Sequence, residues 1–342
     1  MESIYYIGLD VHKKTISFCI KTTDGQVVGQ GQVNAVRSSL GQWAQEIDRP
    51  WIGALEATMF TGWIYDFLKP YALGLKVAHP EMLKAITSSK KKNDRLDAEK
   101  ICDLLRCDLL PESYMSSEKI RELRRILRFR NLMVREAARM KNKTAGLLME
   151  VGAPYNKKRL HGAKYFHDLL DSIEDVPDSV IQMLKLTRAG MEIFTGIQKK
   201  LTSALVNHQE IRDRVKLLRS IEGVGEVTAL TWVLEVGDPN RFRSVRQAIS
   251  YCGLCSGQKE SAGKNHRGPV SKKRNKHLQT ILIEAANLAP RFNPELAEVY
   301  ARELQRSHHN RAVIVVARKL AAFMLAVDRR QTGFVPKEIK AA

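Results

Sequence analysis

The chain is short of acid. Its 342 residues hold 37 Asp and Glu against 56 Lys and Arg, a formal net charge of +19 with a pI near 9.8. An excess of that size implies a polyanionic partner, for which nucleic acid is the commonest choice. Cysteine is also sparse: five residues, an odd number scattered along the chain, argue for reduced thiols and against a disulfide framework. Cys252 and Cys255 form a single CxxC with no second Cys or His pair at zinc-finger spacing. No basic segment, apolar core and cleavage site open the sequence, because the first apolar run is short and carries Asp10, so the expected location is the cytoplasm. No long uninterrupted hydrophobic run occurs either. The most apolar late stretch, Ala312 to Val327, contains Arg318 and Lys319 and reads as a buried amphipathic helix. What remains is an ordinary globular balance, 44% hydrophobic and 27% charged, in a chain long enough for two or three domains.

The most informative stretch is Ile4 to Thr15, IYYIGLDVHKKT, an apolar run that ends by delivering Asp10 beside His12, Lys13 and Lys14. Alternating apolar residues bounded by Gly8 and a charged turn read as a strand. Further strand-like segments cover Thr15 to Lys21 and Gln26 to Val33, with Asp24-Gly25 as the hairpin turn between them. A helical pattern follows at Ser38 to Ile47, where Ser38 and Ser39 offer a cap. A strand at Trp51 to Glu56, a helix near Phe60 to Tyr71, a strand at Gly74 to Ala78 and a helix from Arg95 to Arg106 complete the region. This βββαβαβ-helix order is the ribonuclease-H-like arrangement, in which acids from the first strand, the fourth strand and a late helix converge. Asp10, Glu56 and the pair Asp94 and Asp97 occupy those three places. Asp94 and Asp97 are one helical turn apart and share a face. Alone they would read equally well as a helix cap and its reciprocal partner. Together, four carboxylates suit Mg²⁺ or Mn²⁺ and the chemistry of a phosphodiester. Lys90, Lys91 and Lys92, just before the pair, would meet the flanking phosphates.

Two long helical stretches follow, a basic one from Ser117 to about Val151 and another from Ser179 to about Leu218, joined by a connector with Gly152, Pro154, Gly162 and Pro177. They would pair with each other or with a second subunit as a coiled coil. The Arg-rich face of the first, with Arg121, Arg124, Arg125, Arg128 and Arg130, is either solvated or laid along nucleic acid. In Leu218 to Asp238, Gly223 and Gly225 precede an apolar helix, the pattern of a helix-hairpin-helix whose amides contact a phosphate. Ser250 to Lys276 lacks apolar periodicity and carries Lys264, Arg267, Lys272, Lys273 and Arg274. It reads as a flexible phosphate-binding loop or as a catalytic loop presenting a serine.

IGLDVHKKT, LEAT and KNDRLDAEKI, followed at a distance by IEGVGEVTA, YCGL, SAGK and RGPVSKKRNKHL, resemble the motifs of the DEDD transposases of bacterial insertion sequence family 110. The resemblance implies an α/β plus all-α chain. Its parts would be a RuvC-like, ribonuclease-H-like metal-binding domain over 1–115, a helical coiled-coil region over 116–216, and a mainly helical C-terminal transposase domain over 217–342. It implies a DNA transposase or recombinase that exchanges strands between donor and target DNA under the direction of a structured noncoding bridge RNA, working as a dimer or tetramer. Its acidic tetrad falls on Asp10, Glu56, Asp94 and Asp97, and its nucleophilic serine on Ser261, which would carry the DNA 5′ phosphate covalently. Glu260 and Ala262 depart from the usual Ser-Ser-Gly-Gly-Lys pattern, leaving Ser261 as the hydroxyl in that slot. Two other readings compete: a metal-dependent resolvase or nuclease in which water attacks and Ser261 only contacts phosphate, and a nucleic-acid-binding protein without chemistry.

Overall fold

The computed structural model describes residues 4–87, 93–261 and 263–336. The expected phosphate contacts Lys90, Lys91 and Lys92 therefore lie outside the described residues. For Ser261, Lys264 and Arg267 the backbone alone is described. The chain divides into two compact units, Met1–Glu118 and Lys119–Ala342.

The first unit is built on a five-stranded sheet ordered β3-β2-β1-β4-β5, from β1 (Tyr5–Val11), β2 (Thr15–Lys21), β3 (Val27–Asn34), β4 (Trp51–Glu56) and β5 (Gly74–Ala78). The first three strands form an antiparallel meander and β4 and β5 join β1 in parallel. Alternation splits β1 between two faces. Ile7, Leu9 and Val11 join Leu55, Val77 and the buried side chains of α1 (Arg37–Gln45) and α2 (Thr61–Leu68) in one core. The face bearing Gly8 receives α4 (Asp94–Arg106), whose Ala98, Ile101 and Cys102 are buried there. Helix α3 (Pro80–Thr87) contributes Leu83 to the same side.

Gly8 is what lets α4 lie on the sheet. A Cβ at this position would stand 2.1 Å from the Ala98 carbonyl oxygen and 2.5 Å from the Cys102 amide nitrogen. Lys21 locks the packing: its buried ammonium donates to Glu99 at 3.1 Å and to Asp103 at 2.8 Å. Burial alone would lower the Lys21 pKa, but the hydrogen bonds it donates to Asp103 and Glu99, with their charges, outweigh it and leave it raised. Ser38 and Ser39 do not cap α1. Val36 takes that position with no side-chain bond, because the Ala35 amide is held on the sheet by the Lys14 carbonyl and the helix starts as soon as the chain leaves it.

In the second unit α5 (Glu118–Glu150) and α7 (Asp178–Val206) are the two long helices. They run antiparallel along each other, with Arg130 donating to Thr202, Thr144 to Thr187, and Gly190 against Met140. Two expectations are corrected here. The connector contains a helix, α6 (Ala163–Ser172), whose Phe166 and Leu169 join the buried cluster at the far end of the pair. The second long stretch breaks after Val206, where the Asn207 side chain donates to the Ser203 carbonyl and competes with the helix, and Ile211 turns inward ahead of α8 (Arg212–Leu218).

The core of this unit is α9 (Glu226–Val236), buried at every position from Thr228 onward. A helix apolar all round must be enclosed, and it is: its core includes buried residues of α5, α8, α10 (Val245–Tyr251), α11 (Lys276–Leu288), α12 (Pro294–Arg306) and α13 (His309–Arg330). Two acids inside this core are fully partnered. Asp328 accepts from Trp232 and from both nitrogens of an Arg214 fork, and Glu235 accepts two bonds from Arg128. Among the described residues no helix is long and apolar enough to cross a membrane.

The candidate metal centre and its nucleic-acid surfaces

Three of the four expected acids come from elements that the sheet and α4 bring into register. Asp10 is the penultimate residue of β1, on the Gly8 side of the strand and 7% exposed. Asp94 and Asp97 occupy the first turn of α4. The cap of that helix is Asn93, whose side chain accepts from the Arg95 amide, so Asp94 is not consumed as a cap. The parallel register of β1 with β4 runs as far as the pair Leu9 and Leu55; Glu56 is the last residue of β4 and is not part of the close cluster found among the described residues.

The close cluster is Asp10, His12 and Asp94, each offering a ligand atom within 4.8 Å of the others. His12 Nε2 lies 3.1 Å from Asp10 Oδ2 and 3.4 Å from Asp94 Oδ1. Asp97 pairs with Lys100 at 3.6 Å and is still near enough to act on Asp10. Burial pushes the Asp10 carboxyl above the usual carboxylate range; His12 pulls it down, and the charges of Asp94 and Asp97 add to the rise. Acids gathered around the buried Asp10 carboxylate are short of positive charge, which a divalent cation would supply. The donor set, carboxylates with one imidazole, fits a small divalent ion. Sequence reasoning placed His12 beside Asp10 without assigning it a role. The available signal was the two-residue spacing, which returns a side chain to the same face at a strand exit.

Around the second set of expected residues the structure makes a firmer correction. Ser256 to Val270 is not a flexible loop but an antiparallel hairpin of β6 (Ser256–Ser261) and β7 (Lys264–Val270). Its strands alternate polar with polar, so no period-two hydrophobic signal marked them. Ser261 pairs with Lys264 at the last rung, and Gly263 makes the tip with φ +75°. Arg267 pairs with Gln258 lower down. The root is anchored where Gln279 donates to the Gly253 carbonyl, Arg318 to the Leu254 carbonyl and the Ser271 amide to Cys255. Lys272, Lys273 and Arg274 are exposed beyond β7, and the Arg274 stem packs over Gly253. Cys252 is buried, which pushes its thiol up to about 12.

The turn between α8 and α9 carries Gly223 and Gly225. Gly223 has φ +91° and a Cβ there would meet Ala289 at 2.6 Å, so packing requires it; Gly225 caps α9 with open space around it. Part of the Arg face of α5 is engaged inside the unit, while Arg125 is exposed. Arg124 donates to the Leu234 carbonyl, Arg128 forks onto Glu235, and Asn275, the cap of α11, donates to the same carboxylate. Burial would raise the Glu235 pKa, but the Arg128 bonds and charge, with Asn275 and Arg124, bring it below the usual range. Glu235 was not singled out in the sequence because it sits inside an apolar helix.

A mixed five-stranded sheet with an acidic cluster at the end of its central strand, in a chain of net charge +19, fits a protein that works on nucleic acid. Comparison with known proteins narrows the class. Residues 7–152 match a DEDD transposase model of the IS110 type, and residues 215–301 match the model described as Transposase IS116/IS110/IS902 family. The transposase for insertion sequence element IS1328 of Yersinia enterocolitica is 23% identical over 98% of this chain and 99% of the relative. The transposase for insertion sequence element IS1111A of Coxiella burnetii is 24% identical over 98% of this chain and 92% of the relative. The chain belongs to the IS110 family of transposases, and it is a DNA transposase.

Proposed function

We propose that this transposase exchanges DNA strands through a covalent 5′-phosphoserine at Ser261, with a structured noncoding RNA directing the choice of donor and target DNA. The reading rests on the convergence of Asp10, His12 and Asp94 at the exit of β1. It is supported by the position of Ser261 at the end of a hairpin. Neighbouring serines are worse placed: Ser256 is at the hairpin root, and the Ser271 hydroxyl accepts the Lys273 amide.

In this reading Asp10, Glu56, Asp94 and Asp97 hold Mg²⁺ or Mn²⁺ in a RuvC-like domain, with His12 as an added donor that favours Mn²⁺. The bound metal supplies charge neutralisation at the scissile phosphate and the leaving oxygen. Ser261 Oγ forms a bond to phosphorus, its proton passes to solvent or a base, and the phosphorus bond to the DNA 3′ oxygen breaks, releasing a 3′ hydroxyl. The Oγ–P bond conserves the energy for rejoining to a different 3′ hydroxyl. Lys264, Arg267, Lys272, Lys273 and Arg274 bind phosphates near the hairpin, Lys90, Lys91 and Lys92 those near the acids, and the Gly223-Gly225 turn acts as a helix-hairpin-helix on duplex backbone. The helical region over 116–216 supports a dimer or tetramer that cuts several strands together.

The test is a denaturing gel of labelled DNA incubated with the protein and its copurifying RNA. Wild type should give a protein-linked DNA band that Ser261→Ala lacks and that Asp10→Ala or EDTA suppresses. Cut DNA with no attached protein would replace this mechanism with attack by water. Sequencing the copurified RNA should return one discrete species.

A further inference from the structure

A cavity of about 340 Å³ opens between α5, α9 and α11 in the second unit. Its cations are Arg130, Arg135 and Lys276, against one acid, Glu284, and its apolar wall is Val134, Val227 and Ile281. Arg130 is half-buried, yet its hydrogen bonds run to neutral groups, Thr202 Oγ1 at 3.1 Å and Asn131 Oδ1 at 3.0 Å. Among the described residues, none of these three cations has a carboxylate within 4.0 Å. A guanidinium taken partly out of water without an anion is costly, and burial lowers the Arg130 pKa, with Glu284 and Glu226 only partly offsetting it. The cavity also meets the start of α9, where the capping residue Gly225 has no side chain to satisfy the first amides.

The volume lies at the small end of the range that holds small ligands, about 300–1,000 Å³, and is too small for a duplex. Apolar side chains beside cations that lack a carboxylate partner can receive a base and its phosphate together. We infer that this cavity binds one unpaired nucleotide of a nucleic-acid strand, the phosphate on Arg130, Arg135 and Lys276 and the base against Val134, Val227 and Ile281. The inference rests on the reading of the protein as one that handles nucleic acid strands, but not on the serine chemistry.

The experiment measures binding of the full-length protein to labelled thymidine and uridine pentanucleotides, and to the same pentanucleotides with every base removed. A base lying on Val134, Val227 and Ile281 buries apolar surface that the abasic strand lacks, so wild type should prefer the intact strand by about fivefold. Arg135→Gln/Lys276→Gln and Thr280→Glu all alter exposed positions; the first removes two cations, the second places a carboxylate at the cavity. Both should abolish the preference, and the double variant should lower the salt slope by about 1.4, since each phosphate contact contributes about 0.7 for single strands. The relative strength of the thymidine and uridine arms identifies DNA or RNA as the source. Equal binding of intact and abasic strands by wild type, or an unchanged preference in both variants, overturns the inference. Loss of the Ser261 adduct in a protein that keeps the preference would overturn the mechanism alone.

Discussion

Gly8→Ala tests whether the site is assembled by the closeness of α4 to β1. The new methyl would sit 2.1 Å from the Ala98 carbonyl oxygen, 2.5 Å from the Cys102 amide nitrogen and 2.9 Å from the Cys102 Cβ. Ordinary contacts lie near 3.5 Å, so α4 must withdraw by on the order of 1 Å. Its backbone cannot rotate away as a side chain would. Overpacking of this kind costs typically about 1–3 kcal/mol, which at roughly 4 °C per kcal/mol lowers the unfolding temperature by about 4–12 °C. Asp94 and Asp97 ride on α4 while Asp10 stays on β1, so the same shift spreads the acids. Misplacement by about 1 Å can cost around a hundredfold in rate. Gly74→Ala is the control, because its Cβ would meet only Ile52 Cγ2 at an ordinary 3.8 Å. Calorimetry and strand cleavage on both variants decide the matter. If Gly8→Ala melts and cleaves like Gly74→Ala, the close approach does not hold the site together.

Three further outcomes are expected. Asp10→Asn should raise the unfolding temperature in EDTA at pH 7 and abolish stabilisation by Mn²⁺. The raised pKa of Asp10 means its contribution is present below the ordinary carboxylate value and is lost as pH rises through the folded one, so melting curves in EDTA should show this pH dependence in wild type and not in the variant. Glu235→Gln should destabilise the second unit by about 2–3 kcal/mol, less than a fully buried pair because the Arg128 side chain is 48% exposed. With its pKa depressed, the Glu235 contribution is present above about pH 4.5 and fades as pH falls towards the folded value, which acid titration of urea midpoints measures. Gly223→Ala should cost about 3 kcal/mol or more through its positive φ and the contact with Ala289, whereas Gly225→Ala, in open space, should leave stability within about 0.5 kcal/mol and weaken duplex binding if phosphate approaches there.

The order of elements along the first unit, with Asp10 and Glu56 near strand ends and Asp94 and Asp97 at the start of a helix, was legible because local rules govern it. Alternation marks a strand and its two faces, three-residue spacing marks a helix face, and β4 and β5 begin and end where their apolar runs do. Long-range pairing has no such local trace. Nothing around Lys21 announces Glu99 and Asp103, some eighty residues away, and nothing in the arginines of α5 announces Glu235. The hairpin bearing Ser261 escaped notice because its strands carry no apolar side to alternate. By itself, then, the sequence determined the α/β character of the first unit, an acid near the end of β1 with two more in the first turn of α4, and the basic character of the chain, since each follows from residue type and spacing. Tertiary structure alone decided that Asn93 rather than Asp94 caps α4, that His12 stands between Asp10 and Asp94, and which cations are left without a carboxylate, because charges find partners by distance in space and not in sequence.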